Sequence, residues 1–504
     1  MPRVAVATTS ALAADAAGEI AERGGNAVDC ALAALLLSTN TQPGVCSMSG
    51  SLFITLWKEG EDAVTIDGNA AIPGRGLNRA IDPDAAVPVT MAYGGGLTTL
   101  AGCGSVAVPG AIAAVEHASR RYGSVDFADL WIPSIRAARE GFPLPAACHY
   151  YLEHTGVEIF GRSDAGYRAL FSNDELRSVG SLIHLEGLAE SLELIAKGGA
   201  DVFYRGELAQ RIVDHVQAAG GPLTMEDMQT YEVIERPALM SHAADYAIAC
   251  NPPPAVGGTV LTAMINAFGD DSLTSWGHQE IERLVETQRQ VLDFRRRRID
   301  TTDDRTEAAL QLLEQSRSLL ATWTSGATVH TSAVDDDGTG CAITASAGYG
   351  SGEIPAGTGL WLNNALGELE LNRRGLDAGP PGERLPSNMA PTIARKRGEV
   401  VSLGTPGADR ITTALHQFII HAFQRGLSLD EAIFEPRLHI DMSGDTDRLM
   451  LEPGLESNCP LTQVRYDSRN MYFGGVAAAA WSPEAGFRAA SDPRREGGVL
   501  LPAT

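Results

Sequence analysis

The spacing of apolar residues changes character along the chain. The run "VAVAT" (4–8) reads as a strand, and "LAADAAGEIAERGG" (12–25) has helical spacing that stops at two glycines. "NAVDCALAALLLSTNTQ" (26–42) predicts a buried helix capped by Asn26. A Gly/Ser-rich turn (43–51) leads into the strand "LFITLW" (52–57), with "AVTIDG" (63–68) as its hairpin partner. From about 105 to 300 the pattern is largely helical, and 295–327 is the most linker-like stretch. It holds "RRRRID", an amphipathic helix over 305–320 and the small, polar "TWTSGA" (322–327). Four successive arginines are expected as a solvated helix face paired to nearby acids. After Thr328 the pattern turns to short strands and glycine turns, including 348–372 and 386–410, followed by a helix over 411–425. Helices dominate early and strands late, so the N-terminal strands are expected to join the late ones in shared sheets. Stacked antiparallel sheets with helices outside would place Thr328 at a strand end.

Composition narrows the class. A chain of 504 residues with 44% hydrophobic content can bury a sizeable core, which excludes disordered and fibrous classes. The net charge of −24 comes from acids spread along the chain and argues against nucleic acid or an anionic membrane as partner. The seven cysteines (30, 46, 103, 148, 250, 341, 459) form no CxxC pair and no Cys/His metal spacing. Such a set fits buried free thiols in a reducing compartment. Asp15 and Glu19 break the N-terminal apolar stretch, so no secretory leader is read there and a cytoplasmic location is expected. No metal or cofactor is called for.

The chemistry centres on "GATVHTSAVDDDG" (326–338). Thr328 opens a strand of short and β-branched residues, a turn follows at 336–338, and "CAITAS" (341–346) returns as a second strand. On these residues alone, Thr328 is an ordinary strand residue. The blocks around it change the picture. "AADAAGEIAERGGNAVDCALAALLLSTNTQPGVCSMSGSLFITLW" resembles the opening of the γ-glutamyltranspeptidase family. "VAVPGAIAAVEHASRRYGSVDFADLWIPSIRAAREGFPL" (106–144), the block 200–231, "PPPAVGG" (252–258), "GTGLWLNN" (357–364) and "MAPTI…LGTPGADRI" (389–411) resemble its later blocks in order. The resemblance spans nearly the whole chain.

That resemblance implies an N-terminal-nucleophile hydrolase: an α+β fold, a four-layer αββα sandwich of two stacked antiparallel sheets with helices outside. It implies a precursor that cuts itself at Ala327–Thr328, leaving 1–327 as large subunit and 328–504 as small subunit, a heterodimer forming one structural domain. "TVHTS" matches the family's Thr-x-His-x-Ser block, with Thr328 as nucleophile. A hydroxyl is a weak nucleophile at neutral pH, and the new α-amine beside Oγ can take its proton. Ser346 aligns with the hydroxyl that steadies the nucleophile, and the N–H groups of Gly407 and Ala408 align with the oxyanion donors. His330 is left as a structural residue.

The acyl pocket departs from the family. Asn69 stands where an Arg clamps the γ-glutamyl α-carboxylate, and Ser387-Asn388 replaces a Ser-Ser pair. Ala365 and Glu368 stand where Gln and Asp hold the α-ammonium. Arg75 and Arg79 lie close enough in sequence to substitute for the missing cation. The departures imply an acyl-transfer enzyme with a small-molecule, non-γ-glutamyl substrate: a C–C bond hydrolase of the 4-alkylproline-pathway kind, or an amidase. An ordinary γ-glutamyl hydrolase or transferase acting on glutathione-like donors, and an unprocessed binding protein, are the alternatives.

Overall fold

The computed structural model describes residues 3–79, 81–91, 96–316, 328–407, 410–442 and 446–502. Thirteen strands among them build two main sheets: β1 (Val4–Thr8), β2 (Ser51–Trp57), β3 (Val64–Gly68), β4 (Ile234–Pro237), β5 (Leu239–Ala243), β6 (Tyr246–Cys250), β7 (Val329–Asp335), β8 (Gly340–Ser346), β9 (Thr392–Lys396), β10 (Glu399–Gly404), β11 (Ala477–Ser482), β12 (Gly486–Ser491) and β13 (Gly498–Leu500). The first sheet runs β4-β3-β2-β8-β7-β1-β13 and the second β5-β6-β9-β10-β11-β12. All pairings in both are antiparallel.

The N-terminal strands do pair with the late ones: β1 lies beside β7 and β2 beside β8. The central hairpin β7–β8 is therefore flanked on both sides by strands from the first 60 residues. Strand alternation separates two buried faces. Ala5, Val334, Ala342, Ile393, Val400 and Ala479, drawn from both sheets, form one apolar cluster between them. Their neighbours Val4, Val6 and Ala333 instead join a large core with helices α1 (Ala11–Glu22) and α2 (Ala27–Thr41). On the second sheet Val401, Ala478 and Ala480 pack with α3 (Val256–Phe268) and α4 (Arg410–Ile419). The fold is a mixed α/β one with helices against each sheet.

Every residue of α2 is buried. Its first turn is satisfied locally, since Asn26 Oδ1 accepts from the N–H groups of Val28 and Asp29 at 2.9 and 3.1 Å. Among the described residues no helix is long and apolar enough to cross a membrane.

The middle of the chain is largely helical as expected, but three points need correction. The strands β4, β5 and most of β6, within 234–250, are additional to the expected elements. Pro237 and the mixed polar content of "IERPALMSHA" disguise strands that lie toward the sheet edges. Second, 348–372 holds turns and isolated bridges rather than strands, and glycines 348, 350, 352, 357 and 359 all have positive φ. Third, the arginine run is not all solvated: Arg296 and Arg297 pair with Asp293, but Arg295 is 1% exposed and pairs with Asp300. The linker residues 317–327 lie outside the described residues.

Candidate active site

Sheet register alone assembles a row of polar side chains. Val329 of β7 faces Ala345 of β8, so the next step along the ladder sets Thr328 beside Ser346. Ser346 faces Ser51 of β2. Leu52 faces Gly68 of β3, and one step further sets Ser51 beside Asn69. Residues level across neighbouring strands project to one face. Thr328, Ser346, Ser51 and Asn69 accordingly line one pocket at the sheet end.

The remaining walls come from Ala365, Glu368, Leu371, the 385–389 segment and Ile411 of α4. The enclosed part of the cavity is small, about 20 Å³, and with the open space in front of it the hollow measures about 360 Å³. Asn363 sets the wall at Ala365: its Oδ1 accepts from the N–H groups of Ala107 and Ala365, and its Nδ2 donates to the carbonyls of Ser49 and Ala107. Asn364 Oδ1 accepts from Tyr349 N–H at 2.7 Å. Between them passes Gly348, at φ +66°, where a Cβ would lie 2.2 Å from Asn364 Oδ1 and 3.0 Å from the Glu368 carboxyl carbon. A side chain at 348 would clash with Asn364 and press on the Glu368 side chain.

Glu368 is the ionisable lining residue among those described. It is 6% exposed and its Oε1 has no hydrogen-bond partner among them. Burial, helped by nearby Glu370, pushes its carboxyl up to about 8, so it is mainly neutral at pH 7. No Lys or Arg lines the pocket among the described residues.

The other expected site residues are placed as follows. Asn69 turns its side-chain amide into the wall, donating to the Leu385 carbonyl at 2.6 Å, while its backbone carbonyl accepts from Tyr231 O–H at 2.7 Å. Ser387 and Asn388 line the pocket, and the Ser387 carbonyl accepts from the N–H groups of Val256 and Gly257. Gly407 lies in the turn between β10 and α4 at φ +125°, where a Cβ would meet Gly474 Cα at 2.7 Å. Ala327 and Ala408 lie outside the described residues. Neither candidate arginine reaches the pocket: Arg79 donates to the carbonyls of Gly220 and Gly221, and Arg75 lines a separate cavity with Asp227, Tyr231 and Arg384. Ala71 and Arg384, paired on the ladder between 70–72 and 383–385, line that cavity, whereas Asn69 and Leu385 line the one at Thr328.

His330 lies on the Thr328 face but is spent elsewhere. Its Nδ1 and Nε2 are each 2.8 Å from a hydroxyl, of Thr344 and Ser332, and burial lowers its pKa to about 3. A Cβ on Gly404 of the opposing sheet would come within 2.1 Å of the ring, so bare backbone there makes room for it.

Ser51, Leu371, Leu385, Pro386, Met389 and Ile411 complete the pocket without having been singled out in the sequence. Ser51 carried a usable signal, since it heads the strand "LFITLW"; the others are set by tertiary packing.

The family profile described as Gamma-glutamyltranspeptidase matches residues 13–501. Among curated relatives, the glutathione hydrolase proenzyme of Escherichia coli is 26% identical, over 97% of this chain and 90% of that protein. Glutathione hydrolase proenzyme 1 of Schizosaccharomyces pombe is 29% identical, over 83% and 71%. Among solved structures, a cephalosporin acylase from Bacillus halodurans superposes with a TM-score of 0.81 at 21% identity, covering 100% of this chain and 96% of that one. This last likeness speaks to the fold.

Proposed function

The chain belongs to the gamma-glutamyltranspeptidase family and is an enzyme of its hydrolase and transferase type, and from that premise we propose that Thr328 is an N-terminal nucleophile acting on an uncharged acyl group. In the maturation step Thr328 Oγ attacks the Ala327 carbonyl. The C–N bond breaks as the C–O bond forms, and water hydrolyses the resulting ester. The freed α-amine then serves as base. In turnover, Oγ adds to the substrate carbonyl, its proton passes through the α-amine to the departing amine, and water or an amine acceptor releases the acyl group. Ser346 and Ser51 hold the nucleophile's position, and Gly407 with Ala408 supplies N–H groups to the oxyanion. The 1–327 and 328–504 segments are the large and small subunits of one domain, with the two sheets and their outer helices layered αββα.

One observation carries the substrate class: a pocket with Thr328 at one end, a mainly neutral Glu368 in its wall and no lining cation among the described residues. A γ-glutamyl donor brings an α-carboxylate that would be desolvated here without a positive partner, which is costly. The same argument disfavours a 2-oxo acyl group and hence the C–C bond reading, leaving amide hydrolysis as the better fit. Protonated Glu368 donates a hydrogen bond to a neutral acceptor on the acyl chain, while Leu371, Leu385 and Ile411 contact its apolar part.

The test is a panel of p-nitroanilides bearing small neutral acyl groups against γ-glutamyl-p-nitroanilide and a 2-oxo acid. The neutral acyl amides are expected to give the higher kcat/KM. A preference for the γ-glutamyl donor would overturn the proposed specificity.

A further inference from the structure

Outside the Thr328 pocket, three elements bring together a donor set that no sequence spacing announces. Cys103 lies in the short turn Cys103–Ser105, His215 in the last turn of the helix Glu207–Ala218, and Glu353 in the loop after Ser351. One ligand atom from each lies within 4.8 Å of the others. We propose that Cys103, His215 and Glu353 bind a thiophilic divalent cation, zinc above all.

Thiolate, imidazole and carboxylate together are a zinc-type donor set. The spacing is close to the required one: His215 Nε2 is 3.2 Å from Glu353 Oε2. Two ligands about 2.0–2.1 Å from a tetrahedral zinc stand about 3.3 Å apart. Arg162 Nε lies 3.6 Å from the other carboxylate oxygen, Oε1, and a metal would replace the direct hydrogen bond that now joins Oε2 to His215 Nε2. Cys103 is 2% exposed, whereas the His215 side chain is 29% exposed, so entry and a fourth, water ligand come from the histidine side. The thiolate and carboxylate offset the dication, and binding releases the thiol proton to solvent.

The location gives the metal a task. The Glu353 carbonyl accepts from Leu362 N–H at 2.9 Å, immediately before the Asn363–Asn364 pair that sets the wall at Ala365. A cation on Glu353 would brace that wall. Two ligands come from 1–327 and one from 328–504, so the ion would also clamp the two subunits. This consequence rests on the processing proposed above; metal binding itself does not.

The probe is Co²⁺ added to the chelator-treated full chain, followed by Zn²⁺ competition. Expected are one equivalent bound, a near-ultraviolet thiolate-to-cobalt band with tetrahedral visible bands, and their loss on adding zinc. Affinity should fall at least about tenfold in Cys103→Ser and in His215→Ala. The histidine lies on a helix surface, so its variant decides the matter should the cysteine variant misfold by circular dichroism. No band in the wild type, or a band unchanged in either folded variant, overturns the site. Thr328→Ala run in parallel should bind the same single equivalent uncut. A wild type that binds cobalt without being cut would contradict the processing and spare the site, and a cut chain that binds none would do the reverse.

Discussion

Ser51 of β2 stands directly opposite Ser346 of β8, and the same cross-strand row continues to Thr328. Ser51 Oγ is also tied to the backbone, accepting from Ala70 N–H at 3.1 Å. Thr328 is thus seated at the end of a ladder of hydroxyls whose positions are set by sheet register.

Removing one rung should slow turnover without unfolding the chain. Ser51→Ala is expected to lower kcat by roughly 5–10-fold, the worth of one hydrogen bond of about 1 kcal/mol or slightly more. Steady-state kinetics on the best neutral acyl anilide measures it. An unchanged kcat would remove Ser51 from the account.

The alkaline side of the pH profile should belong to Glu368. Its carboxyl is protonated below about 8 and ionises above it, so hydrogen-bond donation to the acyl group is lost as pH rises through that value. Glu368→Gln keeps a neutral donor at every pH. It should retain activity within a few-fold and lose the fall above about pH 8; a variant with the wild-type alkaline limb would assign that limb to another group.

Buried imidazoles should make the fold acid-sensitive. His330 and His416 are held near 3 by burial, with Arg283 adding to the effect at His416, and both ring nitrogens of His416 lack a partner among the described residues. Below about 6.5 the unfolded chain binds protons that these folded-state rings refuse, so stability falls as pH drops from 6.5 toward 3. Each ring costs about 2 kcal/mol at pH 5. Urea unfolding of His416→Leu should show a shallower loss between pH 7 and 5 than the wild type. Equal slopes would mean that the folded His416 takes up its proton in that window as the unfolded chain does.

A second buried network holds the end of the chain. Asp492 meets Arg437 at 2.6 Å and Arg494 at 3.2 Å, and Arg494 Nε donates to Glu452 at 2.7 Å. Burial alone would raise the Asp492 carboxyl, but Arg437 and Arg494 override it and hold the pKa below the usual value. Asp492→Asn leaves cationic charge poorly compensated and should cost about 3–5 kcal/mol in urea unfolding. A loss within about 1 kcal/mol would show that water reaches these groups.

How much of this was legible in the sequence follows from the range of each signal. Asn26 as cap, the hairpin β7–β8 and the pairing of early with late strands are written in local patterns and came out as read. β4–β6 were missed because short strands near a sheet edge, broken by Pro237, carry little periodicity. At the site, Thr328, Ser346, Asn69, Ala365, Glu368, Ser387 and Asn388 do converge on one pocket. Ile411 and Leu371 enter it through the packing of α4 and of the 365–372 turns, which no spacing reveals. The Cys103, His215 and Glu353 cluster spans 250 residues of chain, beyond the reach of any metal-binding motif.

We have proposed that Thr328 cuts its own chain and becomes the nucleophile. Intact mass under denaturing conditions, wild type beside Thr328→Ala, tests it most directly. Two fragments, 1–327 and 328–504, are expected from the wild type and one uncut chain from the variant. A wild-type chain that stays whole on long incubation, or a variant that is cut like the wild type, would contradict it.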